Sequence, residues 1–474
     1  MPDSNAHGIW NIFSQPSAGA IVPSQAGHSR SFTDIDRSQV STAIPQAKQA
    51  KQDRRRRVIA YYTHAVVNFH TFGIPLSGGL ILEYCYNGLF LTVPLDHLAL
   101  VCAIQWIGIF AMEWLAASAF EWKHWRWVSV SVTVVFLLCQ AILARGARPW
   151  TLALGMRALE GFCLGFLRST ALQCLASHYN DNIAAVSMQS GAAAMLGTLI
   201  YSLMAWAFLR KGDYKKLAWA EFYIALFGLS PALAGFFLAS RVDESEVRLP
   251  RKERSIPRLR HRSEKIEMRL QTNQGLLRRK LKYPHIEDYF LISGLFLIVA
   301  FQFVWPTFFP LLFTSFPIYE YPEYASYWFF TTFIAATITS TFFARPWPRR
   351  GLGVVNTFAA AGIFAGSSVL VAAWVPNFWI WGVVCVVYGL CLGPLLALHR
   401  KVFDLLGMYW KKAGILSTSL GFAVFGGISL AGLMIQKSGG GSIALTVSGV
   451  AMIVGGGCMA VGRWLKYPTK YVVI

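Results

Sequence analysis

Arg157 and Glu160 stand three residues apart within the apolar run Pro149–Ser177. On a helix that spacing makes them neighbours on one face. A charge near the middle of a bilayer costs at least ~2.5–3.5 kcal/mol on insertion scales, so each needs a partner or a watery cavity. Three chemistries fit the pair. The two groups can neutralise each other. Arg157 can fix an anion, because a guanidinium takes a carboxylate through two parallel hydrogen bonds. Glu160 could carry a proton while Arg157 engages that anion. A second polar set, His64, Asn68 and Thr71, recurs at helical spacing and can line a cavity or bond between helices. His70 lies off that face, either as a neighbour in the same pore or as a core histidine. Gln302, Trp305 and Phe309 place one amide beside an aromatic wall, which suits an amphipathic organic anion and suits core packing equally. Glu113 is expected to pair with basic residues near one mouth of the structure.

These residues need helices in lipid to hold them. Of the 474 residues 55% are hydrophobic and only 14% charged, and the mean hydropathy is +0.45. A soluble domain carries about a quarter charged residues, so an ordinary soluble enzyme is excluded. Hydrocarbon about 30 Å thick needs roughly 20 apolar residues of helix. That template fits Val58–Leu82, His97–Phe120, Trp127–Ala144, Pro149–Ser177, Ile183–Leu209, Leu217–Ser240, Glu287–Phe313, Ala325–Ala344, Leu352–Trp374, Asn377–His399, Lys412–Gln436 and Ser442–Trp464. The expected fold is an all-α membrane protein, with twelve transmembrane helices in two six-helix bundles over 58–240 and 287–464. A basic loop, 241–286, joins them. The N-terminal tail, 1–57, is expected to be disordered and without a secretory signal, and a short tail, 465–474, closes the chain.

The formal net charge is +20, from 43 Lys+Arg against 23 Asp+Glu. Basic residues in short loops resist translocation, and most of these fall on one side if both termini are cytoplasmic. The charge is thereby accounted for without nucleic acid. The eight cysteines lie mostly in apolar runs with no C-x-x-C pair, as small packers rather than metal ligands. No G-x-S-x-G elbow, Walker loop, H-E-x-x-H element or dinucleotide fingerprint occurs, so no cofactor is expected and an ATP-driven pump is disfavoured.

The element Arg157-x-x-x-Gly161-x-x-x-Gly165 is similar to the Arg-x-x-x-Gly element on the fourth helix of the major facilitator superfamily. Gln105-Trp106-Ile107-Gly108, Ser187–Gly197, Val304–Leu312, Gly353-x-x-Asn356, Tyr388-Gly389 and Gly427-x-x-x-x-Gly432 resemble stretches of the fungal monocarboxylate porter-like branch. The resemblance spans about Val58 to Trp464. It departs at Ala117–Trp127, where only Glu121, Lys123 and Arg126 stand in place of the usual gate motif. It departs again at Ala335–Phe343, which has no charge where proton-coupled relatives carry an Asp-Arg pair.

The resemblance implies a secondary active or facilitative transporter working by alternating access, with its site where the two halves meet. Its solute would be a monocarboxylate or an amphipathic carboxylated metabolite, with a co-transported proton as a second partner. Arg157, His64, Asn68, Gln302 and Trp305 are the expected solute contacts. Glu160, Glu113, Glu121 and Arg126 are the expected coupling or gating residues. The protein would act as a monomer in the bilayer of the plasma membrane, with peroxisomal and vacuolar membranes as alternatives. A non-transporting transceptor or scaffold that keeps the same fold is the competing reading.

Overall fold

The computed structural model describes residues 35–120, 125–146, 149–179, 183–239, 286–315, 325–343, 353–375, 377–405 and 410–466. Glu121, most of the basic loop and most of both expected tails lie outside them. Every described element is helical. The first half holds α1 (Ile35–Tyr84, continued by a π-helical turn Cys85–Leu89), α2 (Leu95–Phe120), α3 (Trp125–Gly146), α4 (Trp150–His178), α5 (Ile183–Leu209) and α6 (Tyr214–Ala239). The second half holds α7 (Ile286–Phe301), α8 (Val304–Ser315), α9 (Ala325–Phe343), α10 (Val354–Trp374), α11 (Phe378–Leu405), α12 (Trp410–Ser438) and α13 (Ser442–Lys466). The chain divides into the units Met1–Asp53 and Arg54–Ile474, and the packing below is that of the second.

Two elements depart from expectation. α1 starts at Ile35, so residues 35–57 are helical where a disordered tail was expected; their Ala, Gln, Lys and Arg are good helix formers. The seventh apolar span, Ile286–Thr314, is broken between α7 and α8. Pro306 has no N–H to offer the carbonyl of Gln302, four residues earlier. The Tyr388 hydroxyl of α11 donates to that carbonyl instead.

Eleven segments among the described residues are long and apolar enough to cross a membrane. Their outer faces are oily: Phe227 is 74%, Phe364 63% and Val383 61% exposed. Soluble proteins rarely present such surface over a whole molecule. α9 is the long helix outside that set, with 19 residues. Its composition is diluted by hydroxyl residues, but Thr331, Thr337 and Thr341 each donate to a carbonyl of their own helix four residues back.

Counting α7 with α8 as one rod, the packing of the first half recurs in the second. In the first, Gly228 and Gly235 of α6 face His70 and Thr63 of α1, α2 packs on α4, and α3 on α6. In the second, α7 packs on α13, α9 on α11, and α10 on α13. The halves meet through α2 on α12 and α5 on α9. Ala60, Leu175 and Ala239 share one small core, which puts the start of the α1 span and the ends of α4 and α6 at one end of the molecule, here the near end. In the second half, Lys466 of α13 bridges Asp288 of α7 at 2.7 Å, so that half also starts and finishes at one end.

α2 and α4 touch backbone to backbone. A Cβ on Gly161 would lie 2.4 Å from the Gln105 carbonyl oxygen, and one on Gly165 equally close to that of Gly108. Replacing Gly161 by Val should therefore cost about 1–3 kcal/mol or more through overpacking, read as a lowered unfolding temperature of the detergent-purified protein. Gly457→Ala, at a position with open space around it, should leave that temperature unchanged.

Candidate functional site

Two polar clusters occupy the interior, at different levels of α4. The first lines a cleft of about 80 Å³ between the halves, with His64, Asn68 and Phe72 from α1, Glu113 from α2 and Arg168 from α4. Gly191 and Met195 of α5 face Thr341 of α9 and His399 of α11 across it. That is room for several waters, since one needs roughly 10–15 Å³, and is below the roughly 300 Å³ of a small-molecule site.

The hydroxyl of Ser190 donates to the Ser187 carbonyl at 3.0 Å and lies 2.6 Å from His64 Nδ1. With the hydroxyl proton so engaged, Nδ1 is the donor to Ser190, and His64 Nε2 is left as the acceptor for the Asn68 amide at 3.3 Å. The Arg168 guanidinium stacks against apolar walls, its carbon 5.1 Å from the Phe72 ring centre and 6.0 Å from that of Phe110. An aromatic face attracts a cation through its ring quadrupole.

The cleft belongs to the near end, and the far end is shut. Gly79 of α1 abuts the carbonyls of Pro306 and Thr307. Trp206 of α5 meets Tyr327 of α9 edge to face at 6.4 Å. The Leu95 amide of α2 donates to Gln436 Oε1 of α12 at 2.8 Å. Midway, Trp106 stacks on Phe303 at 4.0 Å across the halves.

The second cluster lies wholly within the first half. Arg157 Nη1 donates to Glu160 Oε2 at 3.0 Å, and Nη2 stands 3.7 Å from Glu221 Oε2 of α6. Gln105 Nε2 donates to the same Glu160 oxygen at 3.0 Å. Glu160 is completely buried and Glu221 almost so. Arg157, Gln105 and Tyr214 line a second cavity of about 60 Å³, whose other walls include Pro75, Cys85 and Trp150. Beyond the spans, in the turn before α6, the Lys216 side chain and amide hold the Asp213 carboxyl below the usual range, and Asp213 caps α6 by accepting from that amide at 3.0 Å.

The sequence-derived candidates thus separate. His64, Asn68 and Glu113 come together in the cleft. Arg157 and Glu160 are neighbours as expected, and Arg157 lines the second cavity rather than the space between the halves. Trp305 is buried among Phe309, Trp381 and Tyr388 as aromatic core. Gln302 sits at the α7–α8 break, where its Oε1 receives no hydrogen bond from the described protein. Neither of the last two lines the cleft. Arg126 lies at the start of α3 with its guanidinium 5.9 Å from the Trp125 ring, and Glu121 falls outside the described residues. His70 is a core histidine, its Nδ1 2.8 Å from the Tyr201 hydroxyl.

Arg168 and Glu221 were not singled out from sequence. The signal for Arg168 was its distance of eleven residues from Arg157, close to three helical turns and so on the same face. Compared with known proteins, the chain matches no family model, and no curated protein matches it.

Breaking a buried ion pair leaves an uncompensated charge, at a cost of about 3–5 kcal/mol. Arg157→Met should therefore lower unfolding stability in micelles by about that much. Lys216→Ala, which removes the exposed partner of Asp213, should give no measurable change.

Proposed function

We propose that the chain is a twelve-span secondary transporter of the major facilitator type, moving an organic monocarboxylate or amphipathic carboxylated metabolite by alternating access. The observation that carries this reading is the cleft between the two halves, where the buried Arg168 guanidinium, the Glu113 carboxyl, an imidazole and an amide meet apolar walls. Arg168 is the anchor for the carboxylate. A guanidinium has five N–H donors in a fixed fork, and a carboxylate takes two of them side by side. Asn68 and His64 add directional polar contacts, and Phe72, Leu172 and Met195 receive the apolar body. Arg157, placed first among the solute contacts by the sequence, moves in this reading to an internal role.

The repeated packing of the two halves supports two six-helix bundles, with α9 as the twelfth span because its hydroxyls are satisfied by its own backbone. A cleft at one end and a seal at the other is the arrangement a rocking pair of bundles passes through. The basic residues Arg54–Arg57 at the near end of α1 support a cytoplasmic N-terminus, which makes this an inward-facing state. The resemblance of the sequence motifs favours the monocarboxylate porter-like branch.

The test is uptake of labelled monocarboxylates, graded by the size of their apolar body, into proteoliposomes of the purified protein. Saturable uptake is expected for at least one member of the series. Arg168→Gln should lower its initial rate about ten-fold or more, the equivalent of one lost charge-assisted contact of ~1.4 kcal/mol. Folded protein that moves none of the series under any gradient would overturn the reading, and binding without flux would instead indicate a receptor.

A further inference from the structure

The Arg157 cluster has an unequal count of charges. One guanidinium faces two carboxylates, all three held almost out of contact with solvent. With both glutamates ionised the cluster carries one net negative charge in an apolar interior, where an uncompensated ion is strongly disfavoured. No second cation is ion-paired with either carboxylate among the described residues. The other titratable groups facing the cluster come from every neighbouring element and are neutral at ordinary pH: Tyr201 and Tyr214, and the thiols of Cys85, Cys102, Cys139 and Cys163.

The hydrogen bonds show where the missing positive charge belongs. Glu160 Oε2 receives both Arg157 and Gln105, whereas Glu160 Oε1 is buried and receives no protein donor. Glu221 meets Arg157 only through Oε2, at the looser 3.7 Å, and its Oε1 is likewise buried without a donor. Two carboxylate oxygens of the cluster are thus buried without a protein donor. A third bare group, the Gln140 side chain on α3, is fully buried with neither its oxygen nor its nitrogen partnered.

We propose that Glu160 and Glu221 hold one exchangeable proton between them, making this cluster a proton-binding site within the first six helices. The proton comes from water and forms an O–H bond on one of the two bare oxygens, and the cluster becomes neutral. Its release returns the proton to water and leaves the net negative charge. The second cavity supplies the route, since Arg157 and Gln105 are at once part of the cluster and part of the cavity wall. That cavity is separate from the cleft holding Arg168, so proton and solute have different sites. α2 and α4 contribute to both sites, and their glycine contact lies between the two levels. The existence of the proton site does not depend on the transporter reading; its use as the driving ion rests on that reading.

The experiment is infrared difference spectroscopy of the full chain in lipid nanodiscs, with glutamate carboxyl groups isotopically labelled to identify their protonated-carboxyl band. No solute is needed. At neutral pH the wild-type protein should show such a band, shifted on transfer to heavy water. Either Glu160→Gln or Glu221→Gln should abolish the contribution, because the remaining carboxylate is then balanced by Arg157. Arg157→Gln should increase it about two-fold, because both carboxyls must then be neutral. Absence of a protonated glutamate band from the wild-type spectrum would overturn the proposal without reference to any variant. So would a band left unchanged by both glutamine substitutions in folded protein. Loss of flux in proteoliposomes with this band intact would count against the transporter reading alone.

Discussion

A guanidinium cannot sit unaccompanied in an oily interior, and α4 carries two of them. Arg157 and Arg168 are about three turns apart on one face, some 16 Å along the helix axis. Their solutions differ. Arg157 is bound by carboxylates from its own helix and from α6, so it is held in place. Arg168 lies against the Phe72 and Phe110 rings in the wall of the cleft. One helix therefore carries an ion-paired cation at one level and a cation packed on aromatic rings at another, the two equally buried. The rest of the first half is arranged around that difference.

The glycine contact of α2 with α4 is what allows it. Without close approach at Gly108, Gly161 and Gly165, Gln105 would not reach Glu160. On α2, Gln105 and Glu113 are separated by about two turns, matching the two levels on α4. The two helices thus carry polar side chains at both levels, Glu113 and Arg168 in the cleft, Gln105 and Arg157 at the second cavity.

Much of this was legible in the sequence, for physical reasons that can be named. The oily spans follow from hydrocarbon thickness, and Arg157 with Glu160 follows from helical spacing, because both depend on local order along the chain. Glu221 did not, because its partner lies more than sixty residues away, and near the start of an apolar run it looks like an interfacial residue. Trp305 was read as a wall for a ligand, but periodicity places a side chain on a face without saying what covers that face. Here Trp381 and Tyr388 cover it. The tail helix from Ile35 was hidden by composition, since polar residues that suggest disorder also have good helical propensity. The break before α8 could have been anticipated from Pro306, but not the hydroxyl of Tyr388 that answers it.

The seal at the far end has a character of its own. Gly79 rests on two peptide carbonyls, and Trp206 meets Tyr327 through ring edges; no ion pair among the described residues bridges the halves there. The Glu83 carboxyl of α1 lies beside Thr314 and Tyr327 in the same seal. The strength of the seal comes from close packing and excluded water, so parting the helices at that end would lay bare apolar surface and peptide groups together.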